Sequence, residues 1–209
     1  MLGVGPPVPR LLILFAHPAL ERSRVHRRLL AHRPVRQDLT FHDLYEEYPD
    51  FDIDVSREQA LLTAHDIVAV QHPFFWYSTP PLLKQWQDLV LEHGWAYGRT
   101  GDALRGKRVF HIISAGGREQ AYQHEGYNRF TVRELLAPLE QTAVLCGMRW
   151  APPYVIHGTH RLTDREIEIE GQRYRRLIEQ VAAGEIDLDA AASLATLNAA
   201  VTNAPGEIA

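Results

Sequence analysis

In HPFFWYSTPPLLKQWQD, residues 72–88, an apolar run stops, four aromatics follow in a row, and two prolines open a helix. Just upstream, residues 66–71 (DIVAVQ) are a short β-branched run with polar flanks, the pattern of a parallel strand buried on both faces. Pro80 and Pro81 suit a helix start, because a proline in the first turn gives up no needed donor and already has helical φ. Phe74, Phe75, Trp76 and Tyr77 therefore fall in a loop at the carboxyl end of a strand, where open α/β sheets bind their ligands. Two readings stand for four aromatics there. They form one wall of a ligand site, or they cap the core or a subunit interface, since aromatics dominate all of these.

Residues 11–16 (LLILFA) read as a buried strand ending at His17 and Pro18, and Ser23 is placed to cap a helix through Val25, Leu29 and Leu30 that Pro34 ends. Residues 35–44 alternate well enough for a second strand, nearer an edge because it is more polar. Residues 45–54 (YEEYPDFDID) are acidic and aromatic without a period and read as a loop. Ser56 and Gln59 have capping-box spacing before a short helix through Ala60, Leu61 and Leu62. The helix from Pro81 carries Leu82, Leu83, Trp86, Leu89 and Val90 on one face, and Gly94 ends it. Residues 107–113 (KRVFHII) are a fourth strand. A polar loop then leads to a helix over about 131–145. Residues 149–156, with two prolines, are a fifth strand of edge character. Thr163 with Glu166 caps a charged helix to about Ala183.

Strand and helix thus alternate five times. The pattern predicts an α/β fold: a doubly wound, five-stranded parallel sheet with helices on both faces, in the flavodoxin-like order 2-1-3-4-5. This domain covers residues 10–184. Residues 1–9 read as a flexible lead-in and residues 185–209 as a tail, whose Leu188, Leu194, Leu197 and Val201 suit a docking helix.

The totals narrow the function classes. A 209-residue chain with 45% hydrophobic and 23% charged residues is ordinary for a soluble globular protein. A formal charge of −4 offers no overall basic field for nucleic acid or an anionic membrane, with RSRVHRR at 22–28 as the local exception. No apolar run approaches the roughly 20 residues that span a bilayer, so no membrane insertion is expected. The single cysteine, Cys146, permits no internal disulfide and points to an intracellular or oxidation-independent chain. Its apolar neighbours make it an inert buried thiol rather than a nucleophile. The 11 histidines show no HExxH, CxxC or carboxylate spacing, so no metal site is expected. His65, His72, His111 and His157 read as packing or surface residues.

Three loops follow strands one, three and four, which are neighbours in the order 2-1-3-4-5, so all three open into one crevice at the switch point. The first brings His17, Ser23, Arg24 and His26 to a helix start, whose free N–H groups and partial positive charge favour a phosphate. A capped helix with a solvated basic face is the plainer alternative. The third brings Ser114, Ala115, Gly116 and Gly117, where small residues let the backbone approach a flat ring and aim amides at its heteroatoms, or merely turn. Beside an aromatic wall, such a loop suits an isoalloxazine ring better than a sugar or a metal. Glycine-rich Rossmann and Walker patterns are absent.

At these residues the chain resembles the flavodoxin-like NAD(P)H:quinone oxidoreductases, and most closely the ancillary quinone reductases of glutathione-regulated potassium-efflux systems. The carrying motifs are LFAHP at 14–18, YPDFDID at 48–54, QHPFFWYSTPPLLKQW at 71–86, HGWAYG at 93–98 and CGMRWAPPYVIHG at 146–158. The resemblance implies a cytoplasmic homodimer with one flavin per crevice and ping-pong, two-electron transfer from NAD(P)H to a quinone. FMN is the first choice of cofactor and FAD the second. It implies that His17, Ser23, Arg24, Val25 and His26 hold the flavin phosphate and ribityl region, while Phe74–Tyr77 and Ser114–Gly117 hold the ring. Tyr122 matches a catalytic tyrosine that, in part of the family, works with a histidine; Asn128 stands where that histidine falls, leaving His124 as a substitute. Phe75 replaces a common glutamine and His26 an asparagine. Trp95 and Tyr97 match residues that line the quinone pocket from the partner subunit. Two other functions share the resemblance: a regulatory subunit of a potassium antiporter in which flavin is mainly structural, and an azo- or nitroreductase.

Overall fold

The computed structural model describes residues 9–202. The expected lead-in lies outside them except for Pro9, as do residues 203–209 of the tail. At the centre is β1 (Leu11–Phe15), five residues with no exposure, paired in parallel with β2 (Leu39–Asp43) on one side and β3 (Ile67–Pro73) on the other. β4 (Arg108–Ser114) pairs with β3, giving the order β2-β1-β3-β4-β5 that the alternation predicts. β3 runs two residues further than its β-branched core, because His72 and Pro73 still pair with Ile113 and Ser114.

The fifth strand differs from the expectation. It is two short pieces, β5 (Arg149–Trp150) and β6 (Tyr154–Ile156), both parallel to β4. Pro152 and Pro153 sit between them, and a proline has no N–H to continue a ladder.

Successive residues of β1 face opposite sides of the sheet, so one sequence feeds two cores. Leu11 and Ile13 join a cluster with Val25, Leu29, Tyr174 and Leu177, beneath α1 (Arg24–Ala31) and a long C-terminal helix. Leu12 and Leu14 join a second cluster with Leu62, Leu82, Trp86, Val90 and Ala143. That face is covered by α3 (Val55–Thr63), α4 (Pro81–Val90) and α6 (Ala137–Leu145), with a single turn, α2 (Leu44–Glu47), before them. Each fully buried leucine or isoleucine contributes about 1.5–3 kcal/mol against leaving it in water.

Local differences have local causes. Residues 45–54 are not all loop, because the Asp43 side chain accepts from the Tyr45 amide and starts α2. α3 is capped by Asp54, whose Oδ1 accepts from the Arg57 amide, and not by Ser56; Gln59 instead donates to the Val90 carbonyl. Leu89 points partly outward from α4, and that helix ends at Val90, before Gly94. The helix expected over 131–145 breaks at Leu136 into α5 (Val132–Leu135) and α6, where Pro138 cannot donate to the preceding turn. Thr163 and Glu166 do form the capping box of α7 (Asp164–Ala182).

The tail folds back as two 3-10 turns, Ala190–Ser193 and Leu197–Ala199, rather than as a helix. Asp187 Oδ1 accepts from the amides of Asp189 and Ala190, a local turn that competes with helix. Leu188, Ala191 and Leu197 are buried against the α7 face. Asn198 bonds both the N–H and the C=O of Val155, closing the free edge of β6 with a side-chain amide.

Three buried histidines, His72 and His111 in the sheet and His26 on α1, make the fold acid-sensitive. His26, His72 and His111 are fully buried and burial depresses all three below 6.5, His72 to about 4. His72 donates through Nδ1 to the Pro73 carbonyl and accepts at Nε2 from His111 Nδ1, so both rings are held neutral. The unfolded chain takes up these protons near pH 6.5, the native chain only further down. Stability is therefore intact above about pH 6.5 and lost as pH falls toward about 4. The urea midpoint should drop clearly between pH 7.5 and pH 5; an unchanged midpoint would mean that these rings titrate normally.

Candidate active site

The carboxyl ends of β1, β3 and β4 open on one edge of the sheet, and a cleft of about 520 Å³ lies there. The loop after β1 contributes His17, Ser23, Arg24 and Val25; the loop after β3 contributes Phe74 and Phe75; β4 ends in it with Ser114 and Gly116. A fourth loop, after β6, adds Thr159 and His160.

At one end stands the N-terminus of α1. Ser23 Oγ accepts from the His26 amide at 3.1 Å, while the amides of Arg24 and Val25, also in the first turn, find no carbonyl among the described residues. Free amides at a helix start suit an anion. His17, nearly buried, accepts at Nδ1 from the Ala19 amide, which leaves the proton on Nε2; burial lowers its basicity. The Arg24 guanidinium turns away to Asp164 at 2.7 Å, so this residue offers the cleft its backbone rather than its charge.

His26 does not line the cleft. It is fully buried behind the wall, with Nε2 at 2.9 Å from Ser114 Oγ and Nδ1 at 3.3 Å from Gln71 Nε2, so both ring nitrogens are already engaged. Direct contact with a ligand, as the resemblance implies, is replaced by contact with Ser114.

The aromatic run divides. Phe74 is 7% exposed and joins the core, its amide bonded to the Ser114 carbonyl; Phe75 and Tyr77 are about half exposed and Trp76 is 93% exposed. Ser78 N–H returns to the Phe75 carbonyl across a tight turn in which Trp76 and Tyr77 have φ of 48° and 62°. This is the left-handed pair of a type I′ turn, unusual without glycine or asparagine and costing of order 1–3 kcal/mol per residue. The turn stands two aromatic side chains at the rim, and Tyr77 Oη donates to Asn128 Oδ1 at 3.1 Å across it.

Gly116 and Gly117 are tight for a structural reason. A Cβ on Gly116 would lie 2.7 Å from His160 Nε2, and one on Gly117 would lie 3.0 Å from Tyr122 Cε2. Ala115 between Ser114 and the glycines is fully buried, its amide bonded to the Ile156 carbonyl. Tyr122 is half-buried, its phenol pushed up by burial and by Tyr77. The histidine beside it is His157, with ring centroids 5.4 Å apart, and His157 Nδ1 is buried with no hydrogen-bond partner among the described residues. His124 is on the surface, 3.7 Å from Glu134, and does not line the cleft. Trp95 and Tyr97 pack part-buried against the core on the α4 side and do not line this chain's own cleft.

Sequence reasoning therefore missed His157, Thr159 and His160. The signal was present in YVIHGTH at 154–160, which follows a strand as the other cleft loops do. Cys146 is 3% exposed and burial raises its thiol, as an inert cysteine requires. Among the described residues no helix is long and apolar enough to cross a membrane.

A family model described as flavodoxin-like fold matches residues 9–178. The glutathione-regulated potassium-efflux system ancillary protein KefF of Klebsiella aerogenes is 44% identical over 170 residues, 81% of this chain and 95% of that protein. The crystal structure of general stress protein 14 from Treponema denticola, in complex with FMN, is 37% identical with a TM-score of 0.75, covering 84% of this chain and 99% of that one. An NADPH-quinone reductase from P. pentosaceus is 32% identical with a TM-score of 0.70, covering 79% and 97%.

Proposed function

The chain belongs to the flavodoxin-like fold family, and on that premise we propose that it is an FMN-dependent NAD(P)H:quinone oxidoreductase. One observation carries the reading: free amides at the α1 start, an aromatic wall and a glycine floor meet in a single cleft. Ser23 and the amides of Arg24 and Val25 would hold the phosphate, with His17 beside the ribityl arm. Phe75 and Gly116 would hold the ring, with Phe74 backing the wall; Ala115, buried with its amide on the Ile156 carbonyl, takes no part, and Gly117 lines the adjoining pocket. Bound there, FMN supplies reversible two-electron chemistry, accepting hydride from NAD(P)H and yielding it to a quinone in alternation.

The residues around the cleft give that chemistry its setting. Trp76 and Tyr77, exposed beside the cleft, would cover a bound ring and keep water from it, and dry surroundings strengthen electrostatic contacts. Tyr122, kept protonated, presents an O–H donor beside Gly117, and the buried His157 Nδ1 stands next to it. In a homodimer, Trp95 and Tyr97 of one subunit would complete the quinone pocket of the other, near Asn128. FMN is preferred to FAD because the Treponema denticola protein is in complex with FMN.

Initial rates against both substrates should give parallel double-reciprocal lines, since donor and acceptor use one place in turn. Intersecting lines would contradict the shared site. Tyr122→Phe should lower turnover about 10- to 100-fold while flavin stays bound, the size of one hydrogen bond to a charged group. Unchanged kinetics would remove Tyr122 from the chemistry.

A second reading has its own support, the 44% identity to an ancillary protein of a potassium-efflux system. In it the chain is a cytoplasmic subunit of a potassium antiporter, docking through the acidic residues 45–54. Capture of the chain by an antiporter's cytoplasmic domain, without quinone turnover, would favour it.

A further inference from the structure

A line of buried polar side chains runs from α7 to the cleft wall. Tyr174 Oη is 2.9 Å from Gln71 Oε1, Gln71 Nε2 is 3.3 Å from His26 Nδ1, and His26 Nε2 is 2.9 Å from Ser114 Oγ. Tyr174, Gln71 and His26 are each fully buried, and Ser114 lines the cleft. No residue of the line except Ser114 reaches the cleft surface.

The direction of these bonds is fixed at the far end. An amide and an imidazole can each be turned round, so the inner members alone would allow either polarity. The Tyr174 hydroxyl cannot. It is fully buried with Gln71 as its one hydrogen-bond partner among the described residues, so accepting there would strand its own proton in the core, which is costly. Tyr174 therefore donates to Gln71 Oε1. That turns the Gln71 amide hydrogens toward His26 Nδ1, which must accept; the imidazole proton is then on Nε2 and goes to Ser114 Oγ. Ser114 has become the acceptor in this bond, and its own proton is left for the cleft.

We propose that Tyr174, Gln71 and His26 are positioning residues that hold Ser114 as a hydrogen-bond donor to an acceptor oxygen on the ribityl-phosphate arm of the bound flavin. The arm, rather than the ring, follows from place: the His26 that grips Ser114 also gives its amide to Ser23 at the α1 start. The amide in the middle makes the line an orienting device and not a proton wire, since an amide does not pass protons on readily. Burial keeps the Tyr174 phenol protonated and His26 neutral, as the arrangement needs. This proposal rests on the flavin reading above.

Two measurements test it on the full chain. Long-range 1H–15N correlation spectra of labelled, flavin-stripped protein at pH 7.5 should show His26 as the Nε2–H tautomer; the Nδ1–H tautomer would overturn the proposal. FMN titration should show Tyr174→Phe and Ser114→Ala each weakening binding about 3- to 10-fold, the size of one hydrogen bond. Adding Tyr174→Phe to Ser114→Ala should cost nothing more, because the phenol acts only through the serine. If it weakens FMN equally in both backgrounds, or in neither, Tyr174 is only structural and the proposal falls. Wild-type protein that takes up no FMN would instead refute the cofactor assignment, an outcome distinct from the wrong tautomer in a protein that binds flavin.

Discussion

Gly116→Val is expected to purify without a flavin band and to resist reconstitution with FMN. The glycine lies on the cleft floor, and even a bare Cβ there would stand 2.7 Å from His160 Nε2. Valine adds two further methyls at that point. His160 is exposed and its ring can swing aside, so the loss comes from the valine methyls filling the cleft floor where the flavin ring would lie. The expected affinity loss is on the order of 100-fold, about 2.7 kcal/mol of lost binding. Gly117→Val should act in the same direction by pushing Tyr122 aside. Circular dichroism should remain that of the parent, since the loop lies outside the strands. A Gly116→Val protein with a full complement of flavin would remove this loop from the cofactor site.

Glu58→Ala is expected to be strongly destabilising. Glu58 has no exposure, and its carboxylate accepts from His42 Nε2 at 2.8 Å, Tyr48 Oη at 2.6 Å and Trp86 Nε1 at 2.8 Å. It thereby joins β2, the turn after α2, α3 and α4. Truncation strands three buried donors, a loss of about 3–5 kcal/mol. For a chain of this size, that lowers Tm by on the order of 10 °C. The acid limb follows from the same bonds. Burial works to raise the Glu58 carboxyl, but the donors from His42, Tyr48 and Trp86 outweigh it and hold it below 4.5. Its stabilisation is therefore present above the unfolded value and lost as pH falls through the folded one. Calorimetry decides the matter; a shift within about 2 °C would show that the carboxylate is dispensable. Folded Glu58→Ala protein should still bind FMN, because Glu58 does not line the cleft.

The sheet was legible because its strands are short apolar runs punctuated by prolines, glycines and caps. LLILFA and DIVAVQ announce buried parallel strands, and the loops that follow them open on one edge wherever the strands are neighbours. Where competing local chemistry decides, the pattern was insufficient. Asp54 rather than Ser56 caps α3, Pro152 and Pro153 divide the last strand, and the alanine-rich tail yields to an aspartate turn.

Much of the cleft was equally open to reading. His17, Ser23, Phe75, Ser114 and Gly116 all line it, each from a loop identified by its strand. The histidines were not. His26 looks like a ligand contact from its helix start, yet its bonds go to Gln71, 45 residues away, and Ser114, 88 residues away. Tyr174 reaches Gln71 across 103 residues. Such pairings have no period and no motif, so they emerge only from the packed sheet. His157 sits by Tyr122 for the same reason, whereas His124, nearer in sequence, points to solvent.

The most direct test of the account is the visible spectrum of freshly purified protein, followed by chromatography of whatever heat denaturation releases. A flavin band that bleaches with NAD(P)H and returns on adding a quinone, with FMN in the released fraction, is the predicted result. Colourless protein that takes up no flavin on reconstitution would contradict it.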